Sequence, residues 1–110
     1  MNLSNYLGRC RSIRHRINRP DGTYSTWRAI LSNDKIVYKN PIFDSDDNLV
    51  YDEHVFASID AFASAHAISE GLTLCDSWEE CETFVHGDWT KLSVMRDSYN
   101  WMRNLNKKNN

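Results

Sequence analysis

The sequence predicts an α+β domain: a small antiparallel sheet with a short central helix and a longer C-terminal amphipathic helix. Three observations carry that prediction. TYSTWRAIL and KIVY are runs rich in β-branched and aromatic residues, joined by the tight-turn signal SNDK. Ser58 precedes an alanine-rich stretch that stops at Gly71, the punctuation of a capped helix. From Leu92 to Leu105, large apolar side chains recur at helical steps.

Taken in order, residues 3–17 place Leu3, Tyr6, Leu7, Cys10, Ile13 and Ile17 at helical spacing, with Arg9, Arg11 and Arg16 off that face. The alternation I-R-H-R-I keeps a second reading open, a strand with Ile13, His15 and Ile17 on one side. RPDG ends the segment with turn chemistry. The TYSTWRAIL–KIVY hairpin follows, then a loop, KNPIFDSDDN, with Pro41 and a cluster of acids. LVY and HVF read as a short strand pair or an extended segment. The central helix is expected from Ile59 to Glu70, with Asp60 complementing the dipole. Its wheel groups Ala61, Phe62, Ala65, Ile68 and Ser69 on one face, opposite Asp60 and Ser64. WEECETFV alternates as a strand and HGDW as a turn. The last helix is expected from Ser93 to Leu105. Leu92, Val94, Met95, Tyr99, Trp101, Met102 and Leu105 cover one half of it, and Arg96, Asn100, Arg103 and Lys107 run along the other. The implied organisation is a basic N-terminal segment over 1–20, one domain over 21–105 and a disordered polar tail over 106–110.

Composition narrows the function classes. At 110 residues, 41% hydrophobic and 25% charged, the chain suits one soluble domain with a modest core. No run approaches the ~20 apolar residues of a membrane span, and MNLSNYLGRC has no apolar signal-peptide core. The expected setting is intracellular: nuclear, cytoplasmic or virion-associated. Eleven asparagines fit the codon bias of an A+T-rich genome, as in many large DNA viruses or protists. The net charge of −2 hides segregation: residues 1–28 balance at +5, 29–90 at −11 and 91–110 at +4. Basic ends around an acidic middle suggest an anionic partner or self-association, against the plainer reading of internal neutralisation.

The chemistry-bearing residues divide unevenly. Cys10, Cys75 and Cys81 form no CxxC pair, so they are expected to be reduced thiols. His54, His66, Cys75, Cys81 and His86 lack paired ligand spacing, and neither a metal nor another cofactor is expected. Cys75 and Cys81 sit among Asp76, Glu79, Glu80 and Glu82, whose charge raises a thiol pKa, and no nucleophile or phosphate-loop motif occurs. The chain is therefore expected to be non-enzymatic. Asp44, Asp46, Asp47, Asp52 and Glu53 lack ordered cation-loop spacing and read as a solvated loop. His66 reads as an i,i+4 neighbour of Glu70 at the border of the buried face. The basic residues carry more. Arg9, Arg11, Arg14, Arg16 and Arg19 fall within eleven positions, and Arg96, Arg103 and Lys107 line one helix face. With Tyr24 and Trp27 as stacking surfaces, they form the candidate nucleic-acid-binding set, DNA being the expected partner. The alternative is a structural or adaptor protein, as in a virus particle, making protein–protein contacts.

WRAILSNDKIVYKN, VFASIDAFASAHAI and DSWEECETFVHGDWTKLSVMRDSYNWM, in that order, resemble the RAMA (restriction enzyme adenine methylase associated) domain over residues 24–101. Asn33-Asp34-Lys35 matches its hairpin turn, and Phe56, Ser58, Ala61, Phe62 and Ala63 its helix start. Trp78 matches its strand, and Gly87 with Leu92 its final turn. Asp60 stands where the family commonly has serine, and Ile59 where it often has proline. The resemblance implies a small non-enzymatic module associated with DNA modification or chromatin.

Overall fold

In the computed structural model, residues 3–73 and 76–108 are described, with side chains to residue 105. The order is α1 (Leu3–Leu7), β1 (Ser12–Asn18), β2 (Tyr24–Ser32), β3 (Lys35–Phe43) and β4 (Leu49–Phe56), then α2 (Ile59–Ser69), α3 (Ser77–Glu80), β5 (Cys81–Val85), β6 (Asp88–Lys91) and α4 (Leu92–Lys108). All strand pairs are antiparallel, in one sheet ordered β4-β3-β2-β1-β5-β6. The α+β class, the small antiparallel sheet and the longer C-terminal helix are as expected.

The first segment resolves by its alternation. Gly8 at φ +59° ends α1 after five residues, and I-R-H-R-I then runs as a strand. β1 pairs with β2 (Ile13↔Ala29, His15↔Trp27) and with β5 (His15↔Cys81), so the basic segment 1–20 supplies an inner strand of the sheet. The β2–β3 turn has Asn33 and Asp34 at φ 52° and 60°, the two left-handed residues of a primed hairpin turn. Asp34 also accepts the Ser4 N–H at 3.2 Å, tying α1 to this turn.

Only DSDDN of KNPIFDSDDN is a loop; residues 39–43 are strand. β3 and β4 stay paired from Ile36↔Phe56 to Phe43↔Leu49, while β2 leaves β3 after Ala29↔Tyr38. The ribbon beyond is an arm, and the body measures 63 × 31 × 25 Å along its principal axes. Its radius of gyration of 16.1 Å exceeds the roughly 13 Å of a compact domain this long. Pro41 is tolerated because β3 has no second neighbour there that needs its N–H. Asp44 Oδ1 accepts from the N–H groups of Asp46 and Asn48, both at 2.9 Å, and closes the turn.

In α2, Ser58 caps as expected, accepting the Ala61 N–H at 3.1 Å. The buried face is different: Ile59, Phe62, Ala63, His66 and Ala67 face inward, and Ile68 is 74% exposed. Hydropathy alone placed His66 at the border, whereas its ring is fully buried and hydrogen-bonded. WEE is not strand either. Asp76 accepts the Trp78 N–H at 3.0 Å and starts a single helical turn, and the strand begins only at Cys81. Trp78 therefore lies in α3, not in a strand as the family pattern implies. The Ser77 hydroxyl donates to Asp60, linking α3 to α2. β6 was not expected; His86 and Gly87, both at positive φ, turn β5 back into it.

The core lies on one side of the sheet. Ile13, Ala29, Leu31, Ile36 and Cys81 meet Leu7, Ile59, Phe62, Ala63 and Leu92 from the helices. Only the first half of α4 joins it, with Met95 packed on the core and Tyr99 edge-on to Tyr6 at 5.2 Å. Beyond that, Trp101, Met102 and Leu105 are exposed, although they belong to the apolar half of the wheel. The helix continues through 106–108, where a disordered tail was expected; residues 109 and 110 lie outside the described residues. No helix among the described residues is long and apolar enough to cross a membrane.

Candidate nucleic-acid interface

With the helices on one side, the other side of the sheet is uncovered, and strand parity decides what it carries. Register places Arg14 and Arg16 of β1 on it, beside Arg28 and Tyr24 of β2. Lys35 and Lys39 of β3 and Lys91 of β6 share the same side. Against these six cations stand two carboxylates, Glu82 and Glu53. The charge segregation seen along the chain is therefore a segregation by face. Most of the thirteen acids of residues 29–90 lie on the helices, the arm and the turns.

Aromatic rings interleave the cations. The Arg14 guanidinium lies 4.4 Å from the Trp89 ring centroid and that of Arg28 lies 5.8 Å from the same ring. Phe84 meets Trp89 edge-on at 5.4 Å. At the far end, Arg16 sits 3.9 Å from the Tyr24 ring. Arg14 is also held by Glu82, Nε to Oε1 at 2.8 Å, which fixes it under Trp89. Where β3 departs from β2, a shallow cavity of about 280 Å³ opens beside Trp89, with Ile30 and Val37 as apolar lining and Arg28 and Lys39 at its polar margin.

The structure brings three of the expected binding residues together, Arg14, Arg16 and Tyr24, and disperses the rest. Trp27 is half-buried on the helical side, stacked on His66 at 4.6 Å and on Tyr38 at 4.3 Å, so it lies away from the open face. Arg19 is held bidentate by Glu70, Nε–Oε2 at 3.2 Å and Nη2–Oε1 at 2.9 Å, near the end of α2. Arg11 donates to the carbonyls of Gly8 and Cys10, and Arg9 is exposed in the same α1–β1 connection. Arg96 lies 5.1 Å from the Trp78 ring on the helical side, and Arg103 is exposed further along α4. The Lys107 side chain lies outside the described residues. Arg28 and Trp89 were missed by sequence reasoning; the alternation of TYSTWRAIL was the signal available for Arg28.

A second constellation lies under the sheet. His15 and His66, 51 positions apart, approach Nδ1 to Nδ1 at 2.8 Å, so one of the two nitrogens donates and the other accepts. His15 Nε2 meets Glu80 Oε1 at 2.9 Å and His66 Nε2 meets Ser25 Oγ at 2.8 Å. Ser25 also bonds the Glu70 carboxylate, which Arg19, the stronger influence, and Ser25 together hold at about 2. The result is a chain Glu80–His15–His66–Ser25–Glu70–Arg19. It superficially matches the nucleophile–base–carboxylate order of a hydrolase. Both imidazoles are fully buried, however, so no substrate reaches them in this conformation. The chain satisfies buried polar atoms, and among the described residues none is left without a partner.

Burial, reinforced by His15, pushes His66 down to about 4. The fold thus favours neutral His66, and this contribution is fully present above the unfolded value of 6.5 and lost as pH falls toward 4. Urea unfolding should show about 2 kcal/mol less stability at pH 5 than at pH 7.5 from this group. A flat profile across that interval would show that His66 takes up a proton without cost.

Cys81 is buried, and burial, then Glu80, Asp60 and Glu82, push its thiol far above the ordinary range, in the direction expected from its acidic neighbours. Cys75 lies outside the described residues, and Cys10 is half-buried. No family model, no curated protein and no solved structure matches the chain.

Proposed function

We propose that this chain is a non-enzymatic module that binds single-stranded nucleic acid, DNA first, across the open face of its sheet. The observation that carries the reading is the layering of Arg14, Arg28 and Trp89, continued by Arg16 on Tyr24, over a face that no helix covers. Guanidinium groups suit phosphates, and exposed rings suit unstacked bases. A single strand fits better than a duplex because duplex bases are stacked on one another and cannot lie flat on Trp89 or Tyr24. The binding residues are thus those of β1, within the basic N-terminal segment, with β2 and β6, rather than those of the C-terminal helix. The resemblance of residues 24–101 to the RAMA domain favours DNA over RNA.

Anisotropy of a labelled oligothymidylate, titrated with protein at several salt concentrations, tests the reading. Neutralisation of about three phosphates by Arg14, Arg16 and Arg28 gives a log–log salt slope of roughly −2 for a single strand. A matched duplex should bind more weakly. No anisotropy change at low salt would remove the proposal.

A further inference from the structure

The cavity where β3 departs from β2 belongs to the open face, yet the arginine row assigned to phosphates does not account for it. It has a floor and two banks. Ile30 of β2 and Val37 of β3 form an apolar floor. Trp89 reaches in from β6 on one bank, and Lys39 of β3 stands on the other. Sheet order fixes this opposition, because β6 and β3 lie on opposite sides of β1 and β2. A volume of about 280 Å³ is at the small limit of ligand pockets and suits one planar ring system.

The polar margin is built from donors. Lys39 and Arg28 only donate, and Ser12 adds a hydroxyl. Among the described residues no carboxylate lines the cavity. Glu82 is held by Arg14 at 2.8 Å. Glu53, the register partner of Lys39 on β4, lies outside the lining and makes no ion pair with it. Arg28 pairs in register with Arg14 and sits against the Trp89 ring, so it belongs to the phosphate row. Lys39 stands one strand further out, exposed, with no hydrogen bond or ion pair among the described residues.

We infer that this cavity seats one base of the bound strand and selects bases whose edge carries a carbonyl oxygen, guanine and thymine, over adenine and cytosine. The inference rests on the single-strand reading above and adds a preference to it. A base stacked on Trp89 over the apolar floor turns an edge toward β3, where Lys39 is the polar side chain of the lining. Guanine offers that ammonium O6 and N7 side by side. Thymine offers O4, and its methyl group suits Ile30 and Val37. Adenine and cytosine present an amino group at the corresponding position, so donor meets donor. The selection therefore includes a repulsive element as well as an attractive one.

Anisotropy of two labelled single strands of equal length, one alternating thymine and guanine and the other alternating cytosine and adenine, tests this. Phosphate count and purine–pyrimidine alternation are the same in both, so the base edges are what differs. The thymine–guanine strand should bind about five-fold tighter or more, the low end of what a well-placed base contact gives. Lys39→Ala should bring the two within a factor of about two, by weakening the thymine–guanine strand far more than the other. Arg28→Ala should weaken both alike and keep the preference. Lys39 is exposed, so an unchanged thermal midpoint confirms that its variant is folded. Equal affinities, or tighter binding of the cytosine–adenine strand, overturn the inference and leave the open face as a binding surface. So does a Lys39→Ala variant that weakens both strands equally, the mark of a phosphate contact. Binding of neither strand removes the inference together with the reading beneath it.

Discussion

Replacing His66 with alanine is expected to destabilise the protein by about 3–5 kcal/mol, the largest effect of any single change considered. Two losses combine. The ring fills a site enclosed by Trp27, His15 and α2, so its removal leaves a cavity in the core. It also supplies the partner of His15 Nδ1, a buried polar atom that then has none. Ser25 suffers less, because Glu70 remains available to it. His66→Phe separates the two losses: it keeps the ring volume and the stacking on Trp27, and should cost about 1–3 kcal/mol for the orphaned nitrogen alone. Both variants should flatten the pH dependence between 7.5 and 5, since the group that resists protonation is gone. Urea midpoints at the two pH values check this. An alanine variant within 1 kcal/mol of the parent, with the same pH dependence, would show that the network contributes little.

That network also marks the limit of what the sequence displays. Local signals were legible because their causes are local: the Asn33-Asp34 turn, the Ser58 cap and the arginine-flanked alternation of β1. The alternation already put His15 on the side of Ile13 and Ile17, and helical steps from Phe62 and Ala63 reach His66 and Ala67. Two histidines at core positions imply a polar partner for each. What the sequence cannot display is that they find one another across 51 positions. Hydropathy scoring counted His66 as polar and rotated the helix accordingly, exposing the wrong residues on paper. The arm was misread for the related reason that acids and proline resemble loop composition, although the apolar residues beside them keep the ladder to Phe43↔Leu49. Parity, followed consistently, would have separated Tyr24 from Trp27, which lie three apart and so face opposite ways on β2. Trp89 depended on β6, a four-residue strand whose pairing with β5 is set by the Gly87 turn and by no periodicity of its own.

Trp89 is also where the binding reading is most exposed to test. Trp89→Ala should weaken binding of a single-stranded oligonucleotide by about 1–3 kcal/mol, roughly five- to a hundred-fold, if a base stacks on this ring. Trp89 is half-buried against Arg14 and Phe84, so its removal should also cost about 1–2 kcal/mol of stability, and affinities are compared well below the thermal midpoint of the variant. Trp89→Phe keeps a π-face and should recover much of the loss. Arg28→Ala should act differently, weakening all sequences alike and making the salt slope shallower by about 0.7. Adding Arg28→Ala to Trp89→Ala should give less than the sum of the single effects, because the two side chains are in contact at 5.8 Å. Two further arginines distinguish faces. Arg103→Ala, on α4, and Arg19→Ala, committed to Glu70, should leave affinity within a factor of about two of the parent if neither meets a phosphate. Should Arg103→Ala abolish binding while Trp89→Ala leaves it intact, the nucleic acid lies along the C-terminal helix. The open sheet face would then owe its arginine–aromatic stacking to folding alone.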